Sequence, residues 1–308
     1  MIQKNSKYLT ARTIALFFFA LLVLSCSTPG EPPANNPTRQ ITDDLGRSVK
    51  LPLKVERVIS LAPNLTEIVF AIGGGDKLVG VTTFCNYPAE ARKLSRVSDT
   101  LKPNIESVIA LRPDVVLVST ASQLEAFSRS LEEQAIAVFV TSPNAIEDIY
   151  RSIEMIGKIL GTEDRAQDLT DELRMRAASV RGEPPSEQPP KVFVQIDKDS
   201  LYTVGKDSYI TEIVAVAGGL SATAQLATAY PNISREAAIA MNPDVILISE
   251  SEGNREPNDG FKNSPAVKNG KVFKIDADLL SRPGPRFIIA LEQLAENLRT
   301  NPKESLRE

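Results

Sequence analysis

The sequence predicts two similar α/β lobes with mainly parallel sheets, joined by a long rigid helix, with a cleft between the lobes. Three observations lead to this fold class. Short β-branched runs alternate with amphipathic stretches, a long helical pattern divides the chain near its middle, and motifs of the first half recur in the second. The expected order is an N-terminal lobe at residues 40–143, a connecting helix at 144–182 and a C-terminal lobe at 183–308.

The first residues are typical of a targeting region rather than of a folded domain. Three basic residues precede an apolar run at 13–24, which is the order of a secretory signal and is too short for an ordinary membrane span. Residues 23–26 resemble a lipobox, so we expect a lipoprotein signal peptide at 1–25 and a lipidated Cys26. A plain secretory signal with an incidental cysteine is the alternative. The proline-rich residues that follow predict a disordered tether at 26–39.

Strands and helices are predicted from hydrophobic periodicity. A small hairpin is expected between residues 42 and 49. Apolar residues then recur at three- and four-residue steps from 145 to about 181, interrupted at Gly161, which predicts one long or kinked helix. A final helix is expected at 285–299. The strands are expected at residues 58–61, 79–82, 115–119, 138–141, 192–196, 245–249 and 272–275.

The two halves repeat each other. A Thr-Glu-Ile-Val segment followed by two glycines occurs at residues 66–69 and again at 211–214. Glu106 stands seven residues before a Pro-Asp-Val step, and Glu236 stands seven residues before another. Two copies are too few for a solenoid, and they fit two lobes that face each other across a cleft, a common location for a ligand.

Glu106 and Glu236 form the most informative pair in this repeat. Each lies two residues after a residue that can cap a helix, Asn104 or Ser234. Interaction with the helix dipole, on the order of 0.3–1 kcal/mol, accounts for a single acid in a first turn. It does not explain a matched acid in each half. Two protruding carboxylates are suited to meeting arginines on a two-fold transporter, which predicts a docking role.

Composition excludes several classes of function. The chain has 39 acidic and 35 basic side chains, so no excess of positive charge favours a nucleic acid partner. It has no histidine, which excludes Ser-His-Asp and Cys-His catalysis and histidine-based metal sites. Adjacent acids at 43–44 and 132–133 are typical of solvated faces rather than of a catalytic pair. We therefore expect no enzyme and no metal site, and rank a structural lipoprotein below a binding protein.

Aromatic and basic residues in loops after strands are the candidates for ligand contact. Loops of this kind carry binding residues more often than core residues, and a chain without tryptophan has few other flat surfaces for a macrocycle. Packing explains each residue equally well when it is taken alone. Their joint placement in loops of both halves favours binding. The candidates are Phe84, Tyr87, Tyr202, Tyr230 and Arg282.

Several segments together resemble the cobalamin and iron-siderophore family of periplasmic binding proteins. They are residues 57–67 (RVISLAPNLTE), 79–88 (VGVTTFCNYP), 104–114 (NIESVIALRPD), 234–236 (SRE) and 282–286 (RPGPR). The resemblance extends from about Arg57 to the last helix. It implies a lipid-anchored substrate-binding protein of an ABC importer that works outside the cytoplasm. It also implies docking to a permease dimer through Glu106 and Glu236.

The resemblance is greatest to the cobalamin-binding branch of the family and implies a ligand that carries its own metal. No further cofactor is expected, and we expect a monomer that meets the membrane only through its lipid. The branch's ligand contacts fall at Phe84, Tyr202 and Tyr230, whereas Thr100 and Ser119 stand where the branch has tryptophan. These two departures keep a different corrinoid, a ferric siderophore or haem bound through a tyrosine as the alternatives to cobalamin. The siderophore alternative would engage the basic side chains of Arg282, Arg286 and Lys206.

Overall fold

The computed structural model describes residues 37–98, 104–120, 125–181 and 188–299. A hairpin of β1 (Thr38–Thr42) and β2 (Ser48–Pro52) opens this part of the chain. At its turn, Asp43 accepts hydrogen bonds from the backbone of Leu45 and Arg47, so the turn is closed by its own side chain. The predicted signal peptide, Cys26, the tether up to residue 36 and Thr100 lie outside the described residues.

The N-terminal lobe is a five-stranded parallel sheet with the order β5-β4-β3-β6-β7. All five residues of β6 are buried, because helices cover both faces of a parallel sheet. Side chains of this strand alternate between two apolar clusters, one on each face. The elements in chain order are β3 (Val58–Ser60), α1 (Pro63–Ala71), β4 (Leu78–Thr82), β5 (Ser95–Ser98), α2 (Ile105–Ala110), β6 (Val115–Ser119), α3 (Glu125–Glu133) and β7 (Val138–Thr141).

The C-terminal lobe repeats this plan with a four-stranded parallel sheet of order β11-β10-β8-β9. Its outer face packs around the ring pair Phe193 and Phe261, whose centroids are 4.7 Å apart. The predicted fold class of two α/β lobes with parallel sheets is therefore confirmed. The elements in chain order are β8 (Lys191–Gln195), α6 (Tyr209–Val216), β9 (Leu220–Ser221), α7 (Arg235–Met241), β10 (Val245–Glu250), α8 (Pro265–Lys268), β11 (Val272–Asp276), α9 (Ala277–Leu280) and α10 (Phe287–Arg299).

The segment between the lobes is two helices, which corrects the prediction of one long or kinked helix. Helix α4 (Ile146–Leu160) ends at Gly161, whose φ of 71° is left-handed, and α5 (Glu163–Arg181) begins two residues later. A Cβ on Gly157 would lie 2.5 Å from the Cβ of Ala166, and the guanidinium of Arg174 lies 4.7 Å from the ring centroid of Tyr150. Helix α5 therefore runs back along α4.

Two short strands, β5 and β9, were not predicted. Both lie at sheet edges and have no run of apolar residues, so periodicity does not identify them. In the described ranges, no helix combines the length and the apolar character needed to cross a membrane.

The close crossing of α4 and α5 gives a test of the fold. Replacing Gly157 by Ala should lower the free energy of unfolding by about 2 kcal/mol, because the new methyl group overpacks the contact with Ala166. Chemical unfolding followed by circular dichroism measures the loss. Lys158→Ala, at the exposed neighbouring position, is the control and should change stability by less than about 0.5 kcal/mol. Equal stability of the Gly157→Ala variant and the wild type would contradict the close crossing.

Candidate ligand-binding site

The carboxyl ends of the two parallel sheets face each other. Asn86, in the loop after β4, donates its side-chain amide to Asp278 in α9, directly after β11, at 3.0 Å. Asn64, at the start of α1, donates to the carbonyl of Pro283 at 3.2 Å. Ligands of open α/β sheets bind outside the carboxyl ends of the strands. The edges that meet here are therefore the expected place for a binding site.

Glu67 on α1 joins the two lobes by ion pairs. Its Oε1 accepts from Nη1 of Arg282 at 3.0 Å and from Nη2 of Arg286 at 2.6 Å, and its Oε2 accepts from Nε of Arg286 at 2.8 Å. Its side chain is 2% exposed, and those of Arg282 and Arg286 are 14% and 18% exposed. Charges so poorly solvated require partners. We call Glu67, Arg282 and Arg286 the inter-lobe bridge.

Arg282, a predicted ligand contact, is occupied by protein acceptors. Besides Glu67, it reaches Oδ1 of Asn86 at 2.8 Å, Oδ1 of Asp278 at 2.5 Å and the carbonyl of Phe84 at 3.4 Å. A guanidinium has a fixed set of N–H donors, and those used here face the protein. This geometry favours a role in positioning the loop of Phe84 rather than direct contact with a ligand.

Arg286, the second arginine of the bridge, also contacts an aromatic candidate. Its Cζ lies 4.2 Å from the ring centroid of Tyr87, a cation–π contact. Hydrogen bonds with Glu67 raise the pKa of Arg286 above its ordinary value, so the side chain stays charged. Sequence reasoning did not single out Glu67, because it is the fifth residue of α1 and a single acid within a helix has no local feature that reveals a distant partner. The one signal for Glu67 in the sequence is the internal repeat, which places Glu212 at the equivalent position.

The aromatic candidates are large apolar side chains that remain half-exposed. Phe84 and Tyr87 follow β4 and are 50% and 48% exposed, and Tyr202 and Tyr230 are 44% and 42% exposed. Large apolar side chains are seldom this exposed when several occur in neighbouring loops, and exposed apolar patches commonly bind ligands. All four lie in loops rather than in regular helices or strands of the sheets.

Tyr202 and Tyr230 lie on paired segments beyond the carboxyl end of β8. Tyr202 forms an antiparallel bridge with Asn232, and the backbone of Gly205 donates to the carbonyl of Ala229 at 2.9 Å. Any side chain at Gly205 would run into the carbonyl of Thr228, so glycine is needed for this close pairing. The pairing holds the two tyrosines in one region of the C-terminal lobe.

The phenol of Tyr230 has a perturbed pKa. Burial raises the pKa of Tyr230, and a hydrogen bond with Ser208 acts in the opposite direction. Burial also raises the pKa of the neighbouring Tyr209 well above its ordinary value, with contributions from Tyr230 and Glu67. Tyr209 donates to the carbonyl of Leu280 at 2.7 Å, two residues before Arg282. Tyr230 as a whole residue remains 42% exposed.

Glu106 and Glu236 are exposed, and each opens a short helix. Asn104 and Ser234 cap these helices as predicted, since each side chain accepts from the backbone N–H three residues later, at 3.0 and 3.1 Å. Within the described part of the chain neither carboxylate forms an ion pair. Both are therefore free to meet a partner, and their docking role stays a prediction.

Two further features near the sheets do not add to the site. The cavity between α4, α5 and α6 has a volume of about 450 Å³ and includes Tyr150 and Glu212, away from the aromatic candidates. Ser119, where the cobalamin branch has tryptophan, is fully buried beside a smaller cavity of about 220 Å³. The described residues contain no group of three or more acidic or cysteine side chains arranged to hold a metal ion.

The sequence model of the periplasmic binding protein family matches residues 58–279. The chain belongs to this family. Periplasmic binding proteins are not enzymes, so the prediction of a non-catalytic protein is confirmed. They work outside the cytoplasm, bind small molecules and act together with a membrane permease. The predicted family resemblance is likewise confirmed.

Curated relatives of this periplasmic binding protein span nearly its whole length. An ABC transporter substrate-binding lipoprotein of Bacillus subtilis, YvrC, is 31% identical over 300 residues, which cover 92% of this chain and 95% of that protein. The vitamin B12-binding protein of Vibrio cholerae is 30% identical over 255 residues, which cover 82% of this chain and 92% of that protein.

Solved structures give the same architecture. The periplasmic vitamin B12-binding protein BtuF of Vibrio cholerae has a TM-score of 0.72 at 29% identity, with 80% of this chain and 98% of that chain covered. The periplasmic heme-binding protein RhuT of Roseiflexus sp. RS-1 has a TM-score of 0.69 at 26% identity, with 79% and 98% covered. Neighbours with different ligands thus share this fold.

Replacing Glu67 by Gln tests the inter-lobe bridge. The variant should lose about 3 kcal/mol of unfolding free energy, because two poorly solvated arginines lose their shared counter-charge. Chemical unfolding measures the loss. Glu212→Gln is the matched control at the equivalent position of the repeat. Its carboxylate only accepts the backbone N–H of Ile146 within the described residues, which an amide oxygen can replace. A loss of similar size in both variants would contradict the bridge.

Proposed function

We propose that this periplasmic binding protein is the lipid-anchored substrate-binding protein of an ABC importer, and that it binds cobalamin or a related corrinoid. The observation that carries the proposal is the set of four half-exposed aromatic side chains in loops of both lobes. Two of them, Phe84 and Tyr87, contact the bridge, through the Phe84 carbonyl on Arg282 and the Tyr87 ring on Arg286. Flat apolar surfaces with few free charges suit a large, nearly planar macrocycle.

The cobalt or iron would enter with the ligand, and the protein would supply shape rather than coordination. The chain has no histidine, and Glu67, the acid at the meeting edges of the lobes, is committed to two arginines. The relatives named as vitamin B12-binding proteins support a corrinoid. A protein surface of aromatic rings alone can bind a ligand whose metal is already coordinated.

A ferric siderophore is less well supported than a corrinoid. Anionic chelates require unpaired basic side chains at the site. Arg282, Arg286 and Lys206 were the expected ones, but both arginines are paired with Glu67, which leaves the exposed Lys206 as the one of the three without an ion pair in the described residues. If the siderophore proposal were right, the bridge would have to break for the anion to reach these arginines.

Haem is the second candidate, because the neighbour RhuT is a heme-binding protein. A tyrosine can ligate haem iron, and this coordination is easier when the phenol loses its proton readily. Burial raises the pKa of Tyr230, which opposes this role for that residue. Tyr87 and Tyr202 remain candidates for such a ligand.

The docking part of the proposal rests on Glu106 and Glu236. Both carboxylates are exposed in the first turn of corresponding helices, one in each lobe. Two like subunits of a permease dimer could each offer a basic residue to one of them. In this arrangement one monomer of the binding protein serves one permease dimer, and Cys26 keeps it near the membrane.

Ligand identity is tested by calorimetry of the purified, delipidated protein with cyanocobalamin. We expect saturable binding, weakened about tenfold by Phe84→Ala and by Tyr202→Ala, because each change removes an apolar contact surface. Met175→Ala, at a 66% exposed residue of α5, is the control and should bind like the wild type. No heat with cyanocobalamin, together with a Soret band on addition of haemin, would replace cobalamin by haem.

Lipidation is tested by replacing Cys26 with Ser. The variant should move from the membrane fraction to the soluble extracytoplasmic fraction and lose incorporated fatty acid, measured with labelled palmitate. Cys85→Ser is the control, because the Cys85 thiol is buried beside Thr66 and Thr82 and cannot accept a lipid in the folded chain. A Cys26→Ser variant that still carries label would contradict the proposed anchor.

A further inference from the structure

We propose that Ile109 and Ile239 are apolar anchors for the permease, each paired with the docking glutamate of its lobe. The two docking faces are Glu106 with Ile109, and Glu236 with Ile239. The inference rests on the proposed role as an importer's binding protein, and it adds the residues that would hold the complex after charge has brought the partners together.

Each isoleucine lies three residues after its glutamate, which places the two side chains on one side of the helix. Ile109 is 40% exposed and Ile239 is 48% exposed. The residue before each isoleucine, Val108 or Ala238, is buried and fixes the helix to its lobe. In each helix, one residue is therefore buried against the lobe, and the next residue exposes a large aliphatic side chain.

The backbone around the two faces is the same in both lobes. Helix α2 is followed by Arg112 with a φ of 45°, and α7 is followed by Asn242 with a φ of 44°. Non-glycine residues rarely adopt this left-handed conformation. The next turn is fixed alike, because Asp114 accepts from the backbone of Arg57 at 2.8 Å and Asp244 from that of Lys191 at 2.9 Å. The backbone therefore has the same conformation after both helices.

A long basic side chain at the start of a strand makes an equivalent contact in each lobe. Arg57 donates to the carbonyl of Leu111 at 2.7 Å, and Lys191 donates to the carbonyl of Met241 at 3.3 Å, so each satisfies the C-terminal end of its helix. Two lobes that differ in most residues thus hold a glutamate and an isoleucine in matching positions. Such matching is expected when both faces meet like surfaces.

The partner that fits is a pair of like membrane subunits, each with a basic side chain beside an apolar surface. Charge complementarity identifies the basic residue, since Glu106 and Glu236 are exposed without an ion pair in the described residues. One face on each lobe calls for two copies of the complementary surface, which a permease dimer supplies. Exposed charges mainly speed association, whereas buried apolar contacts mainly slow dissociation.

Photo-crosslinking in cells of the native host tests where the permease touches. A benzophenone amino acid replaces Ile109 or Ile239, and Leu53, which is 55% exposed and outside both faces, serves as the control position. We expect one polytopic membrane protein to be crosslinked from positions 109 and 239 and not from position 53. No crosslink to such a protein from either isoleucine position would overturn the proposal.

Uptake measurements separate anchoring from charge and from ligand binding. In a host strain without its own copy, Ile109→Ser with Ile239→Ser should lower uptake of radiolabelled cyanocobalamin about tenfold or more, through faster dissociation from the permease. Calorimetry should show unchanged cyanocobalamin binding, and Leu53→Ser should leave uptake unchanged. Normal uptake in the double variant, alongside loss in Glu106→Gln with Glu236→Gln, would reject the anchors and keep the charges.

The crosslinking result does not depend on the ligand. Crosslinks from positions 109 and 239, without calorimetric binding of cyanocobalamin, would reject the proposed ligand and support the anchors. Cyanocobalamin binding without crosslinks would support the ligand and reject the anchors.

Discussion

The buried carboxylate of Glu67, shared by two arginines of the opposite lobe, is the interaction on which the arrangement of the site depends. It lies at the meeting edges of the sheets and is 2% exposed. Because an unpaired charge at that depth is costly, the lobes are held at the distance that the three side chains allow. Arg282 then carries the constraint to the carbonyl of Phe84, so the charge network also places an aromatic candidate. The same charge network therefore determines both the spacing of the lobes and the position of a predicted ligand contact.

Equivalent residues of the internal repeat have kept the same role in some places and acquired different roles in others. At equivalent positions of α1 and α6, Glu67 bridges to the other lobe, whereas Glu212 accepts the first backbone N–H of α4 at 2.7 Å. Glu67 therefore links the two lobes, whereas Glu212 stabilises the N-terminus of α4. By contrast, the helices of Glu106 and Glu236 have kept the same caps and the same left-handed ends. The two lobes differ where one ligand is proposed to bind, and they are alike where two like subunits are proposed to meet.

Much of the fold could be predicted because buried parallel strands are continuous apolar runs. The strands Val115–Ser119 and Val138–Thr141 have the predicted bounds for this reason. The reversal at Gly161 could not be predicted from periodicity, since α4 and α5 each show an apolar face and the pattern continues across the turn. In the site, loop position indicated the aromatic residues. The pairing of Glu67 with Arg282 joins residues 215 apart in the chain, and no local pattern reveals so distant a partner.

The single passage of the chain between the lobes also bears on how the protein matures. Every strand of the first sheet precedes α4 in the sequence, and every strand of the second sheet follows α5. A polypeptide that crosses a membrane N-terminus first can therefore complete its first sheet while the remainder is still in transit. Until the residues around 282 and 286 arrive, the carboxylate at position 67 has no counter-ion from the second lobe and must stay hydrated. The interface between the lobes can therefore lose its water only after both sheets are present.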